Sequence, residues 1–250
     1  MVNPVKGATR LVGVIDLLGG RAVHARGGIR DAYAPVDVAA GVRVDGDPFT
    51  LARVYAEQLG VRELYLADLD AIRGGLGAMN AATIAAISAL GAPLWVDAGV
   101  STPQAAHAVL EVGASMVVVG LETLTSFSEL MGICEAAGGR RIAFSVDLRN
   151  GESITLPDVA HVAWPPEHVA EEAVAVGVGT VIVLDLARVG TGAGIDTALL
   201  RRIRAAAPNV ALFAGGGVRD QVDLDALTEI GCDGALVATA LLSGAIRLSS

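Results

Sequence analysis

Two aspartates, Asp16 and Asp147, hold the same place in two similar phrases, VIDLLGG (14–20) and SVDLRNG (145–151). Each closes a short apolar run, which would set its carboxylate at the end of a buried strand. Two carboxyl groups facing one pocket can share general acid–base work, one giving a proton while the other removes one, provided their surroundings separate their pKa values. Either aspartate alone could instead cap the turn that follows it; the matched placement is what points to chemistry. Asp68 and Asp185 form a second matched pair, in YLADLD and IVLDLA, suited equally to contacting a substrate or to orienting loops. A third feature is the run Gly215, Gly216, Gly217, followed later by ATALLSG (238–244). Consecutive glycines are entropically costly, and they make sense where the backbone must approach a ligand closely. Their N–H groups, with those of Ala238, Thr239 and Ala240 at the start of a short helix, would converge on an anion such as phosphate.

The elements that must position these groups are legible as eight nearly continuous apolar runs, at 11–16, 63–69, 93–98, 116–121, 142–148, 180–186, 210–216 and 234–240. Such runs are the mark of parallel strands buried on both faces. Helix-period segments lie between them, at 48–60, 78–91, 102–113, 126–139, 165–177, 196–208 and 220–231, and several stop at glycine. Eight alternating units in 250 residues give an α/β fold, either a (β/α)8 TIM barrel or a doubly wound open sheet. An internal repeat decides for the barrel. LWVDAGV (94–100) matches LFAGGGV (212–218) and GASMVVVGLETL (113–124) matches GCDGALVATALL (231–242), each pair 118 residues apart. The chain therefore reads as one TIM-barrel domain over 1–250, with half-barrels at about 11–130 and 142–245. The first βα connection, 17–47, is longer than the others; its RAVHARGG reads as a short β-excursion and its length as that of a functional lid.

Composition limits the partners. A hydrophobic fraction of 53% against 18% charged residues supports a large core. A net charge of −9 without basic runs argues against nucleic-acid binding. No stretch of about 18 apolar residues suggests a membrane span, and the opening MVNPVKGATR lacks the apolar segment of a signal peptide. A cytoplasmic protein, monomeric or weakly homo-oligomeric, is expected, with Cys134 and Cys232 as buried reduced thiols. Lys6 is the only lysine and precedes the first strand, so the chain offers no strand lysine for Schiff-base chemistry. The histidines give no metal-type spacing; His161 and His168 are separated by WPP and His107 sits in a polar helix face. Neither metal nor organic cofactor is expected.

The phrases GVIDLLGGRAVHARGG, LYLADLDAIRGG, FSVDLRNG, VGTGAG, FAGGGV and VATALLSG, in this order along nearly the whole chain, resemble the HisA/HisF family of histidine-biosynthesis barrels. That resemblance implies an isomerase that converts a phosphorylated aminoaldose to an aminoketose by an Amadori rearrangement. It implies Asp147 as the acid that helps open the ribose ring and Asp16 as the base that takes the C2 proton. Thr191, followed by Gly192, matches a family threonine beside the substrate, and Trp164 matches a loop tryptophan that stacks on it, packing within the surface loop being the equal alternative for that ring.

The departures from the family are concentrated in one half. The resemblance implies two phosphate sites, one per half-barrel. The second-half site, Gly215–Gly217 with Ala238–Ala240, is intact. In the first half, Asp97-Ala98-Gly99 replaces a glycine-rich turn and Gly120-Leu121-Glu122 replaces a G-T-A turn. Carboxylates beside a phosphate dianion are repulsive, so a substrate with one phosphate is expected. His24 stands where the family carries lysine or arginine, and Val189 replaces an aspartate beside Thr191. These changes point to a divergent branch of the family. A cyclase or lyase acting on a phosphorylated substrate, and a barrel that only binds a phosphate metabolite, are the alternatives. The missing lysine counts against the first, and retention of both Asp16 and Asp147 counts against the second. Arg73 and Arg188 follow strands two and six and could each meet a substrate anion.

Overall fold

In the computed structural model, which describes residues 9–248, eight strands pair in chain order and all run parallel. They are β1 (Arg10–Leu18), β2 (Glu63–Asp68), β3 (Leu94–Asp97), β4 (Met116–Gly120), β5 (Ile142–Arg149), β6 (Thr180–Asp185), β7 (Ala211–Gly215) and β8 (Gly234–Val237). β8 pairs with β1, Arg10 opposite Gly234, and closes the (β/α)8 barrel. Lys6 lies outside the described residues.

The helices α1 (Pro48–Arg53), α2 (Ala81–Ser88), α3 (Pro103–Glu111), α4 (Phe127–Ala137), α5 (Pro166–Ala175), α6 (Thr197–Ala206), α7 (Gln221–Ile230) and α8 (Thr239–Leu242) follow the strands. Many begin at a side-chain cap: Asp47, Thr102, Ser126, Asp196 and Asp220 each accept a hydrogen bond from a backbone N–H of the first turn. Two strands stop short of the sequence expectation because a helix begins there. The run 234–240 stops at Val237 because Thr239 already begins α8, and the run 63–69 stops at Asp68, whose side chain caps a short helix, Leu69–Gly74.

Strand alternation divides the apolar residues into two cores. Leu66, Val96, Val117, Phe144, Val181 and Leu212 face the helices and are fully buried. Val12, Tyr65, Trp95, Val118, Ile182 and Phe213 face the barrel axis. Trp95 and Phe213 meet edge to face with ring centroids 4.8 Å apart, which fills the lower interior. The barrel is thus a packed core whose open space lies at the C-terminal mouth.

β1 and β5 run past the barrel rim, which is why Asp16 and Asp147 lie two residues inside their strand ends rather than at them. Asp16–Leu18 pairs antiparallel with Arg21–Val23, and Leu148–Arg149 with Glu152–Ser153. The first excursion, expected from RAVHARGG, carries the β1–α1 connection across the mouth. Its Gly27 N–H donates to the Val189 carbonyl at 2.8 Å, on the loop after β6.

Candidate active site

A cavity of about 730 Å³ occupies the mouth, lined by residues from every barrel strand or the loop after it. Asp16 from β1 and Asp147 from β5 both line it, from strands directly across the barrel. Asp16 is half-buried, while Asp147 is only 4% exposed. The inward parity of β5 that aims Asp147 at the axis also aims Ser145, whose hydroxyl donates to Asp147 Oδ1 at 2.6 Å. Asp147 Oδ2 accepts the Glu122 N–H at 3.2 Å. Burial first, then the nearby Glu122 and Asp97 carboxylates, hold the Asp147 carboxyl well above the usual carboxylate range, outweighing both hydrogen bonds.

Asp97 and Glu122 also face the cavity, Asp97 at 8% exposure. Asp97 Oδ1 accepts the N–H of Gly99 at 3.1 Å, and the buried Tyr65 hydroxyl donates to its Oδ2 at 3.4 Å. Burial, then the surrounding Asp97, Asp147 and Asp16, push the Tyr65 phenol up, which keeps it a proton donor. At the opposite side, after β7 and β8, the lining is Gly216, Gly217, Val218, Ala238, Thr239 and Ala240. Gly217 has φ +112°, and Asp220 with the bidentate pair Arg219–Asp223 (2.8 and 2.9 Å) fixes the start of α7 beside it. Among the described residues, no protein acceptor takes the N–H of Gly217 or Val218.

Several expected contacts lie elsewhere. Asp68 is fully buried and accepts from the N–H groups of Ala71 and Asn80 and from the Asn80 side chain. Asp185 accepts from the N–H groups of Asn150, Gly151 and Ala187 and from Arg188. Both have the outward parity of their strands, so they order loops and do not reach the cavity. Gly215 is still within β7, and its inward face meets Leu184. Thr191 is exposed and its hydroxyl donates to the Arg188 carbonyl within its own turn, outside the cavity lining, whereas Gly192 reaches it. Trp164 lies on Phe127 with rings nearly parallel, centroids 5.5 Å apart, on the helix side of β5. His24 lines the cavity from the lid. Arg73 lines it too, from the segment after β2, but Arg188 is held by Asp185 and the Gly194 carbonyl. Sequence reading missed Ser145, Tyr65, Arg149 and Arg219. Ser145 and Tyr65 carry a usable signal, since a polar group two residues before Asp147, and a phenol two before the small Ala67, share inward faces. The two arginines adjoin glycine- and asparagine-bearing loops with no pattern of their own. Cys134 and Cys232 are buried and outside any disulfide. No metal-holding group of three or more ligand residues occurs among the described residues, nor a helix long and apolar enough to cross a membrane.

The state of Asp147 makes a stability prediction. Its folded pKa is raised, so the folded protein binds more protons than the unfolded chain between the two values, and stability falls as pH rises through that window. An asparagine at this position does not titrate. The stability of Asp147→Asn relative to the parent should therefore climb from pH 4 upward, with a slope of at most about 1.4 kcal/mol per pH unit. Asparagine keeps one oxygen to accept the Glu122 N–H while its amide donates to the Ser145 hydroxyl, so any pH-independent offset should stay within about 1 kcal/mol. A difference that stays flat between pH 4 and 8 in thermal denaturation would show Asp147 to titrate normally.

Residues 10–247 match the family described as Histidine biosynthesis protein. A relative from Thermus thermophilus is 31% identical over 239 residues, covering 96% of this chain and 97% of its own. Relatives from Picosynechococcus sp. (32%, covering 96% and 90%) and Rubrobacter xylanophilus (34%, covering 94% and 91%) align over similar lengths. All three are named as the isomerase of an imidazole-4-carboxamide bearing two 5-phosphoribosyl groups. With a closed barrel, paired strand carboxylates at its mouth and a match to these enzymes almost from end to end, the chain belongs to the histidine biosynthesis protein family.

Proposed function

We propose that this isomerase converts a phosphoribosyl aminoaldose to its aminoketose, holding the substrate by a single phosphate at the β7–β8 turns. Protonated Asp147 donates to the ring oxygen as the C1–O bond breaks and the amine lone pair forms C1=N. The Asp16 carboxylate then takes the C2 proton, the electron pair giving the enaminol, which returns to the ketone as C1 gains a proton and the C2 hydroxyl releases its own to solvent. The raised affinity of Asp147 for its proton suits the acid role, and the more hydrated Asp16 suits the base role.

One comparison carries the single-phosphate reading. Gly217 and Gly99 are equivalent positions 118 residues apart, as are Ala240 and Glu122. At β7–β8 the Gly217 and Val218 N–H groups remain available to a ligand. At β3–β4 the matching donors are consumed internally: Gly99 N–H by Asp97 and Glu122 N–H by Asp147. A phosphate there would have to displace two carboxylates and sit beside them. Thr239 and Ala240, at the first turn of α8, complete the anion-facing side, and Gly192 also lines the cavity. The relatives act on a two-phosphoribosyl compound by name, and this chain shares their reaction on a substrate with one phosphate fewer at the first-half end.

Isothermal titration with inorganic phosphate tests this reading. One equivalent per chain is expected. Two equivalents, or efficient turnover of the relatives' two-phosphoribosyl substrate, would place this chain with the ordinary two-phosphate isomerases.

A further inference from the structure

The residues that fill the first-half turn lie against the acid. A Cβ built on Gly120 would stand 2.9 Å from Asp147 Oδ2, 3.8 Å from Asp97 Oδ2 and 3.9 Å from Glu122 Cγ. One point in space is therefore within 4 Å of all three side chains, and only glycine leaves it open. We propose that Glu122 and Asp97 are positioning residues that keep a proton on Asp147, so that the turn which no longer grips phosphate instead arms the general acid. This inference rests on Asp147 being the acid of the proposed reaction.

Three carboxyl groups at this spacing repel one another in a poorly hydrated space, and a single bound proton relieves two of the pairwise repulsions at once. That proton resides on the group with least access to water. Asp147 is 4% exposed, Asp97 8%, and Glu122 is half-buried. Two donors fix the group's orientation: Ser145 holds Oδ1 and the Glu122 N–H holds Oδ2. Glu122 thus contributes twice, through a backbone donor that aims Asp147 and a side-chain charge that resists its ionisation. Around the same space stand Tyr65 on β2, a neutral phenol bonded to Asp97, and Asp16 on β1 across the mouth. β6 presents the uncharged Leu184, Arg149 stands at the rim two residues beyond Asp147, and the lid brings His24 and Asp31 to the outer wall. When the acid gives its proton to the ring oxygen, the cluster gains a full negative charge. It recovers neutrality at Asp147 by taking one proton from solvent, so no other reactant is needed.

Glu122→Gln separates the two contributions, because it removes the charge and leaves the backbone donor. In protein labelled with 13C at the aspartate side-chain carbons, with the Asp147 resonance assigned from Asp147→Asn, the titration midpoint of Asp147 is expected to fall by about one pH unit or more in Glu122→Gln and again in Asp97→Asn. Glu122→Asp, which keeps a charge, should restore most of it. The unfolding transition of each variant is recorded alongside, and the half-buried Glu122 should tolerate both changes. An Asp147 midpoint that does not move in either neutral variant overturns the inference. The proton is counted directly, without substrate or phosphate, so this result stands apart from the one-phosphate test. A moved midpoint with unaltered turnover in Asp147→Asn would instead sink the acid assignment, and the arming role with it, while leaving the charge coupling intact.

Discussion

Replacing either Asp16 or Asp147 by asparagine should lower turnover by about 10²–10⁴-fold, the usual contribution of a positioned acid or base, while leaving a cooperative unfolding transition. Asparagine is nearly isosteric, so the cavity keeps its shape and the lost property is proton transfer. The two variants should differ in how they fail. Asp16→Asn removes the base, and exchange of the aminoaldose C2 hydrogen with deuterated solvent should disappear. Asp147→Asn removes the acid, and a substrate analogue supplied already ring-opened should recover part of the lost rate. Exchange followed by proton NMR and steady-state turnover would check both statements. A variant pair that retains more than about a tenth of the parent rate, far above the loss expected of an acid or base, would leave the carboxylates as loop-ordering groups. Unfolding of either single variant would have the same meaning, with the pair then acting as Asp68 and Asp185 do.

The second large effect concerns the anion. Thr239 is exposed at the first turn of α8 and lines the cavity. Thr239→Asp should cut phosphate affinity at least tenfold without harming the fold, since a carboxylate suits a helix start while opposing a dianion beside it. Gly217→Ala should do likewise for a steric reason. Its Cβ would press into the Gly194 carbonyl at a φ of +112°, which side chains rarely adopt, so the turn must shift and its N–H groups lose their aim. The reverse change is the more decisive one. Asp97→Gly with Glu122→Ala frees the Gly99 N–H and clears the side-chain charges, so calorimetry should record a second phosphate equivalent. If the double variant still binds one equivalent and Thr239→Asp binds as the parent does, the assignment of the anion to β7–β8 fails.

The barrel was legible because each strand is an unbroken apolar run and because its two halves repeat. All seven helix segments expected between strands form, and the capping side chains at Asp47, Thr102, Ser126, Asp196 and Asp220 stand in the sequence just ahead of them. The candidate site was legible only as far as parity was used. Counting by twos along each strand puts Asp16, Asp97 and Asp147 on the inward face with Val12, Trp95 and Ala143, and puts Asp68 and Asp185 outward with Leu66 and Val183. Matched placement alone does not separate these pairs; the strand period does. Trp164 and Thr191 were out of reach for another reason. Their positions depend on the paths of two irregular loops, and neither periodicity nor turn chemistry says whether an aromatic ring will settle on Phe127 or swing over the mouth.

The edge-to-face contact that fills the barrel floor also has a spectroscopic consequence. The chain has two tryptophans. Trp95 is sealed at 2% exposure against Phe213, with the Arg10 guanidinium 4.8 Å from that ring, and nothing short of opening the barrel can bring water to its indole. Trp164 is half-buried on a loop, between Phe127 and the imidazole of His168, whose ring centre is 4.6 Å away. The emission of the protein is therefore the sum of a blue-shifted component tied to global unfolding and a second component open to quenching by local loop motion. With Trp164→Phe, fluorescence becomes a reporter of barrel integrity alone, and with Trp95→Phe it reads the loop after β5 while the barrel stays closed.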